Sequence, residues 1–139
     1  MAVLLVEDDT VVRLTLADFL HETGLEVLEA CSADEAMRIL VDPLQHVDIL
    51  VTDLDLGPGD DGLVLASKAR RRLPDLQVVY ATGSPEKFVG HVLAPWEKRF
   101  AKPFDPTVLA STVVGLSETI DRQRLAQLRP APAMVASSL

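Results

Sequence analysis

Five short apolar runs punctuate this chain, and stretches with helical spacing separate them. Residues 2–6, 47–52 and 77–81 are nearly continuous in apolar side chains, the pattern of strands buried on both faces. Residues 25–29 and 99–101 read as two further strands. After the first run, Val12, Leu16, Phe19 and Leu20 repeat at the spacing of one helical stripe, with Thr10 as a candidate cap and Gly24 as the stop. Ser32 is placed to cap a second helix carrying Ala36, Met37 and Leu40, which ends before Pro43. A third helix follows the loop Gly57-Pro58-Gly59-Asp60-Asp61-Gly62 and turns Leu65, Ala66, Ala69 and Leu73 inward. Arg70, Arg71 and Arg72 surround its end, where cations suit the helix dipole, and they are expected as solvated surface. A short helix is expected from Ser84-Pro85-Glu86, and a last one from Asp105-Pro106, carrying Leu109, Val113, Leu116 and Ile120.

Strands alternating with helices imply parallel pairing with helices on both faces. Right-handed crossovers then favour an α/β fold, a five-stranded parallel doubly wound sheet. Beyond Ile120 the apolar stripe weakens, because Arg122, Gln123 and Arg124 stand where its next members were due. Residues 1–121 therefore read as one domain, and 122–139 as a helical extension and a flexible tail broken by Pro130-Ala131-Pro132. The extension has three readings: a frayed helix end, a homodimer or partner contact through the last helix, or the start of a linker.

Composition narrows the function classes. A length of 139 residues suits one domain with its own core. The formal net charge of −8 argues against nucleic acid, whose binding rests on neutralising phosphates with Lys and Arg. No apolar stretch approaches the roughly 20 residues that span a bilayer. The N-terminus lacks a basic region ahead of a long apolar one, so a cytoplasmic protein is expected. Cys31 is alone, excludes an internal disulfide, and is expected as a small buried side chain. His21, His46 and His91 show no metal spacing. Trp96 precedes the fifth strand and reads either as a ring covering the core edge or as a docking anchor.

The chemistry-bearing residues stand at strand ends. Glu7-Asp8-Asp9, Asp53, Thr82 and Lys102 each follow an apolar run. In an open α/β sheet, ligands bind outside the carboxyl ends of the strands, at the point where strand order reverses. That edge would gather Glu7, Asp8, Asp53, Thr82 and Lys102. Packed carboxylates repel, and a hard divalent cation such as Mg²⁺ relieves the repulsion through oxygen ligands. A carboxylate kept ionised beside it can attack phosphorus, Lys102 can offer a point charge to phosphoryl oxygens, and Thr82 a hydroxyl donor. Taken singly these residues have plainer roles: Asp9 a helix cap, Thr82 a turn residue before Gly83, Lys102 a surface lysine.

At Leu4-Leu5-Val6-Glu7-Asp8-Asp9, Val51-Thr52-Asp53 with Gly62 downstream, Ala81-Thr82-Gly83 and Lys102-Pro103-Phe104, the chain resembles the receiver domain of two-component response regulators. The resemblance covers roughly residues 2–121. It implies a flavodoxin-like receiver with strand order 2-1-3-4-5, phosphorylated on Asp53. It implies a sensor histidine kinase or histidine phosphotransfer protein as donor, and a downstream protein partner. Mg²⁺ would be held by Asp8, by Glu7 through water, by Asp53 and by the backbone carbonyl of Asp55. Arg13 fits a common family arginine and selects Glu7 and Asp8 over Asp9. Lys102 would bridge to the phosphoryl group, Thr82 would move to bond it, and Lys102-Pro103 would be cis. The chain would be a phosphoacceptor with self-catalysed phosphorylation and dephosphorylation at most, and no DNA-binding output module is visible in it.

Two departures stand out. Arg99 occupies the place of the family's switch aromatic, and Phe100 follows it on the opposite side of the strand. The loop between Asp53 and Gly62 is one residue longer than common, with extra glycine and acid. Tyr80-Ala81-Thr82-Gly83 also resembles the start of a Phe-Ala-Thr-Gly signature found in a single-domain subgroup. Two other functions remain open on the residues: a receiver-fold adaptor that needs no phosphorylation, and a Mg²⁺-dependent phosphohydrolase with an aspartyl intermediate.

Overall fold

The computed structural model describes residues 2–128; the tail expected over residues 130–139 lies outside the described residues. In chain order the elements are β1 (Ala2–Val6), α1 (Thr10–Glu22), β2 (Glu26–Ala30), α2 (Ala33–Val41) and β3 (Val47–Thr52). Then come α3 (Gly62–Arg72), β4 (Gln77–Thr82), a 3-10 helix (Pro85–Phe88), β5 (Glu97–Ala101) and α4 (Pro106–Gln127). All neighbouring strands pair in parallel, in the order β2-β1-β3-β4-β5. This is the doubly wound sheet that the alternating pattern predicts, in the flavodoxin-like order that the resemblance implies.

The alternation of side chains across each strand builds two cores. Leu4, Val6, Leu50, Val78 and Tyr80 pack against Ala36, Leu40, Leu65 and Ala69 of α2 and α3. Val3, Leu5, Ile49, Val51 and Val79 pack against Leu16, Leu20, Leu109 and Val113 of α1 and α4. Every residue of β1 and β3 is buried, and each fully buried Leu or Val there is worth about 1.5–3 kcal/mol over exposure. Polar side chains are displaced to the strand ends, and that displacement creates the site. β1 and β3, adjacent in the sheet, feed helices on opposite faces, which opens a crevice at their carboxyl ends.

Several local expectations are corrected. Asp9, not Thr10, caps α1, because its carboxylate oxygen accepts from the Val12 N–H at 3.1 Å while Thr10 is already helical. Ser32 caps α2 as expected. β2 runs one residue later than expected, and β5 begins at Glu97, because a sheet edge admits polar residues. The helix expected from Ser84 is a single 3-10 turn, followed by positive-φ Gly90 and an irregular segment up to β5. Cys31 is exposed, and its thiol lies 2.9 Å from Glu35 Oε2. Arg70 is half-buried rather than solvated: its guanidinium stacks 4.0 Å from the Trp96 ring centre and donates to the Leu76 carbonyl at 2.7 Å. Trp96 itself packs at the edge of the α2/α3 core.

α4 is one helix of 22 residues. It runs as helix through Gln127. Arg124 pairs with the buried carboxylate of Asp48, in β3, and also lies beside His46. No helix among the described residues is long and apolar enough to cross a membrane.

Candidate functional site

The ends of β1, β3 and β5 bring four side chains of the sequence-derived set, Glu7, Asp8, Asp53 and Lys102, into direct proximity. Glu7 follows β1 and is buried; its N–H donates to the Ala30 carbonyl at 3.1 Å, and Arg13 donates to its carbonyl at 3.0 Å. Asp53 follows β3, with its N–H bonded to the Val6 carbonyl at 3.2 Å. Glu7, Asp8 and Asp53 each present a carboxylate oxygen, and these atoms lie within 4.8 Å of one another. Lys102 follows β5, reaches across the crevice and donates to Glu7 Oε1 at 2.7 Å and to Asp53 Oδ2 at 2.9 Å. Its peptide bond to Pro103 is cis. Asp9, spent on its cap, stays outside this trio.

Backbone crowding fixes the chain around Asp53. A Cβ on Gly62 would stand 2.1 Å from the Asp53 carbonyl oxygen, so only glycine fits where the loop returns to start α3. The Gly62 N–H donates to the Leu54 carbonyl at 2.9 Å, and Asp61 caps α3. The long acidic loop thus leaves from Asp53 and comes back against it.

Thr82, buried at the end of β4, accepts the Ser84 N–H on Oγ1 at 2.9 Å, and its carbonyl accepts the Lys102 N–H at 2.8 Å. Asp55 splits its roles. Its N–H donates to Asp53 Oδ1 at 3.2 Å, while its carboxylate turns to the 3-10 helix, accepting from Ser84 Oγ at 2.6 Å and pairing with Lys87. Ser84 and Lys87 went unread in the sequence, because contacts across so long a separation leave no local spacing. The same holds for a second polar group behind β5, where Glu97 accepts from the Tyr80 hydroxyl at 2.6 Å and from the Ala94 N–H at 2.8 Å, beside His91.

Electrostatics follow from these contacts. Burial pushes the Glu7 carboxyl above the usual range, and the Lys102 hydrogen bond only partly offsets it. Burial pulls the Lys102 ammonium down, but its bonds to Glu7 and Asp53 outweigh that and leave it raised. Lys87 and then Ser84 hold Asp55 below the usual range. Three clustered carboxylates with one shared ammonium are under-neutralised, and their all-oxygen donor set fits a hard divalent cation such as Mg²⁺.

The fold and this arrangement define a receiver. The family model described as "Response regulator receiver domain" matches residues 3–114, and the chain belongs to that family, the receiver domains of two-component systems. Sensor kinase CckA of Brucella abortus is 35% identical over 122 residues, which cover 86% of this chain and 13% of that kinase. The chain thus spans a small part of that relative. The crystal structure of the receiver domain from hybrid histidine kinase CckA superposes with a TM-score of 0.70 at 32% identity, covering 84% of this chain and 98% of that one. TrrA from Thermotoga maritima, crystallised in complex with Mg(2+)-BeF, shares the fold with a TM-score of 0.71 at 23% identity, covering 83% and 97% of the two chains.

Proposed function

We propose that this receiver accepts a phosphoryl group on Asp53 in a Mg²⁺-dependent reaction and signals by binding a protein partner. The observation that carries the reading is Lys102, which bonds Asp53 and Glu7 at once within a trio of carboxylates. Asp8 and Asp53 would hold the ion, Glu7 would assist through water, and the Asp55 carbonyl would complete the protein ligands. A divalent ion there supplies charge neutralisation to the phosphoryl oxygens.

The donor is a phosphohistidine on a kinase or phosphotransfer protein. An Asp53 carboxylate oxygen attacks phosphorus; the O–P bond forms as the donor's N–P bond breaks, and the freed imidazole takes a proton from water. Lys102 exchanges its contact with the carboxylate for one with a phosphoryl oxygen. Thr82 now uses its oxygen as an acceptor, which leaves the hydroxyl proton to donate to the phosphoryl group after a rotation. An apolar groove of about 480 Å³, walled by Val11 and Leu16 of α1 and by Pro103 and Phe104, opens beside Lys102 and suits a donor helix. The chain acts as a one-to-one acceptor rather than as a turnover enzyme.

Incubation with phosphoramidate and MgCl₂, followed by intact-protein mass spectrometry, tests this directly. One phosphoryl group per chain is expected, lost on chelation of the metal and in Asp53→Asn. Undiminished labelling of that variant rejects Asp53 as the acceptor. A phosphorylation-independent adaptor is the second reading, favoured by Arg99, whose guanidinium lies 5.2 Å from the Phe88 ring centre where the family places an aromatic switch. Equal partner affinity with and without phosphoramidate selects it.

A further inference from the structure

Each face of the sheet carries two full helices, α1 and α4 on one and α2 and α3 on the other. The connection from β4 to β5, on the α2/α3 side, supplies only the 3-10 turn Pro85–Phe88 and an irregular segment. That segment leaves Val89 and Val92 85% and 89% exposed. Between it and α3 runs a cavity of about 350 Å³, walled by Leu63, Arg70, Arg71, Tyr80, His91 and Trp96.

The charge in this groove is one-sided. Arg71 is exposed on its rim. Arg70 stacks on Trp96 and commits one of its nitrogens to the Leu76 carbonyl, and a guanidinium carries five N–H donors. The acid in the wall, Glu97, faces inward to Tyr80, His91 and the Ala94 N–H. The groove also lies in the basic part of the chain. Residues 1–61 carry 15 of the 21 acids and only Arg13 and Arg38 among the 13 Lys and Arg.

We propose that the groove between α3 and the segment ahead of β5 docks an acidic amphipathic helix of a partner protein. Its apolar stripe meets Leu63 and Trp96, and its carboxylates meet Arg70 and Arg71. A helix fits because the β4–β5 connection contributes only one 3-10 turn beside α3, and such a segment recognises its groove through apolar anchors at helical spacing. Dense polyanions are disfavoured by the net charge of −8, which repels them at long range while leaving short-range pairing at the groove intact. The groove is present before any phosphoryl group arrives, so the proposal stands apart from the chemistry of Asp53.

The test uses the full, unphosphorylated chain and a fluorescent helical peptide with a Leu/Phe stripe flanked by glutamates. Its counterpart carries glutamine at those positions. Expected are amide shifts confined to residues 63–71 and 91–97, weak binding of the glutamine peptide, and a roughly tenfold loss of affinity in Arg71→Glu, the scale of a lost interfacial charge pair. Arg38→Glu, an exposed charge reversal on α2, is expected to leave affinity unchanged. Equal binding of the two peptides, equal losses in the two variants, or shifts elsewhere overturn the proposal. Displacement of the peptide by duplex DNA would assign the groove to nucleic acid, and self-association through these residues would assign it to a second copy; either overturns it.

Discussion

Asp48 and Asp53 stand at opposite ends of β3, and their side chains are almost equally buried, at 7% and 9% exposure. They differ in company. Asp48 has Arg124 to itself, with His46 alongside, and its charge is matched. Asp53 shares Lys102 with Glu7 and has Asp8 nearby, and its charge is not. The two carboxylates are thus alike in burial and differ in the ratio of acids to cations around them. The matched end ties α4 to the sheet, and the unmatched end leaves carboxylates under-neutralised, as the proposed metal and phosphoryl chemistry requires.

The largest expected effect comes from Gly62→Ala, which drives a methyl group into the Asp53 carbonyl. Equilibrium urea unfolding should show a loss of about 3 kcal/mol, and labelling by phosphoramidate should fall with it. A variant of full stability and labelling would show that the crowded backbone does not set the position of Asp53.

Removing each cation in turn sharpens the contrast. Both are partly exposed, so the losses fall short of the 3–5 kcal/mol typical of breaking a fully buried pair: about 2 kcal/mol for Lys102→Met and about 1 kcal/mol for Arg124→Met. Added Mg²⁺ should restore much of the first and none of the second, read as urea midpoints with and without MgCl₂. Equal rescue of both would erase the distinction between the two ends.

The smallest effects are the pH slopes of two glutamates. The Glu7 pKa is raised in the fold, so its contribution is fully present below the ordinary value of about 4.3 and is lost as pH rises through the raised one. Without metal, Glu7→Gln should gain on the parent chain as pH climbs from 4 towards 7. Glu97 is also buried, but its hydrogen bonds from Ala94, Tyr80 and His91 outweigh that and lower its pKa. Its contribution is present above about 4.3 and lost as pH falls through the lowered value, so Glu97→Gln should trail the parent at pH 7 and converge in acid. A pH series of unfolding curves should show differences of opposite sign for the two variants.

The strands most legible in the sequence are those buried on both faces: residues 47–52 were bounded correctly because their apolar run is continuous. β5 was caught only in its last three residues, since edge positions such as Lys98 carry no apolar signature. Glu7, Asp8, Asp53 and Lys102 were readable as a cluster because each follows an apolar run and topology does the rest. The partners that tune the site were not. Ser84 and Lys87 reach Asp55 through tertiary contact, and Arg124 looked like the end of a stripe although it is the anchor of one. The proline at Pro85 signalled a helix start, but Gly90 and Pro95 leave room for only one turn before β5.

α4 starts just past the lysine loop and ends on Asp48, a rod of about 33 Å at the usual rise per residue. β3 runs alongside, with Lys102 on Asp53 at one end and Arg124 on Asp48 at the other. One helix thus connects the loop after Lys102, whose ammonium bonds Asp53, to the guanidinium that pairs with Asp48.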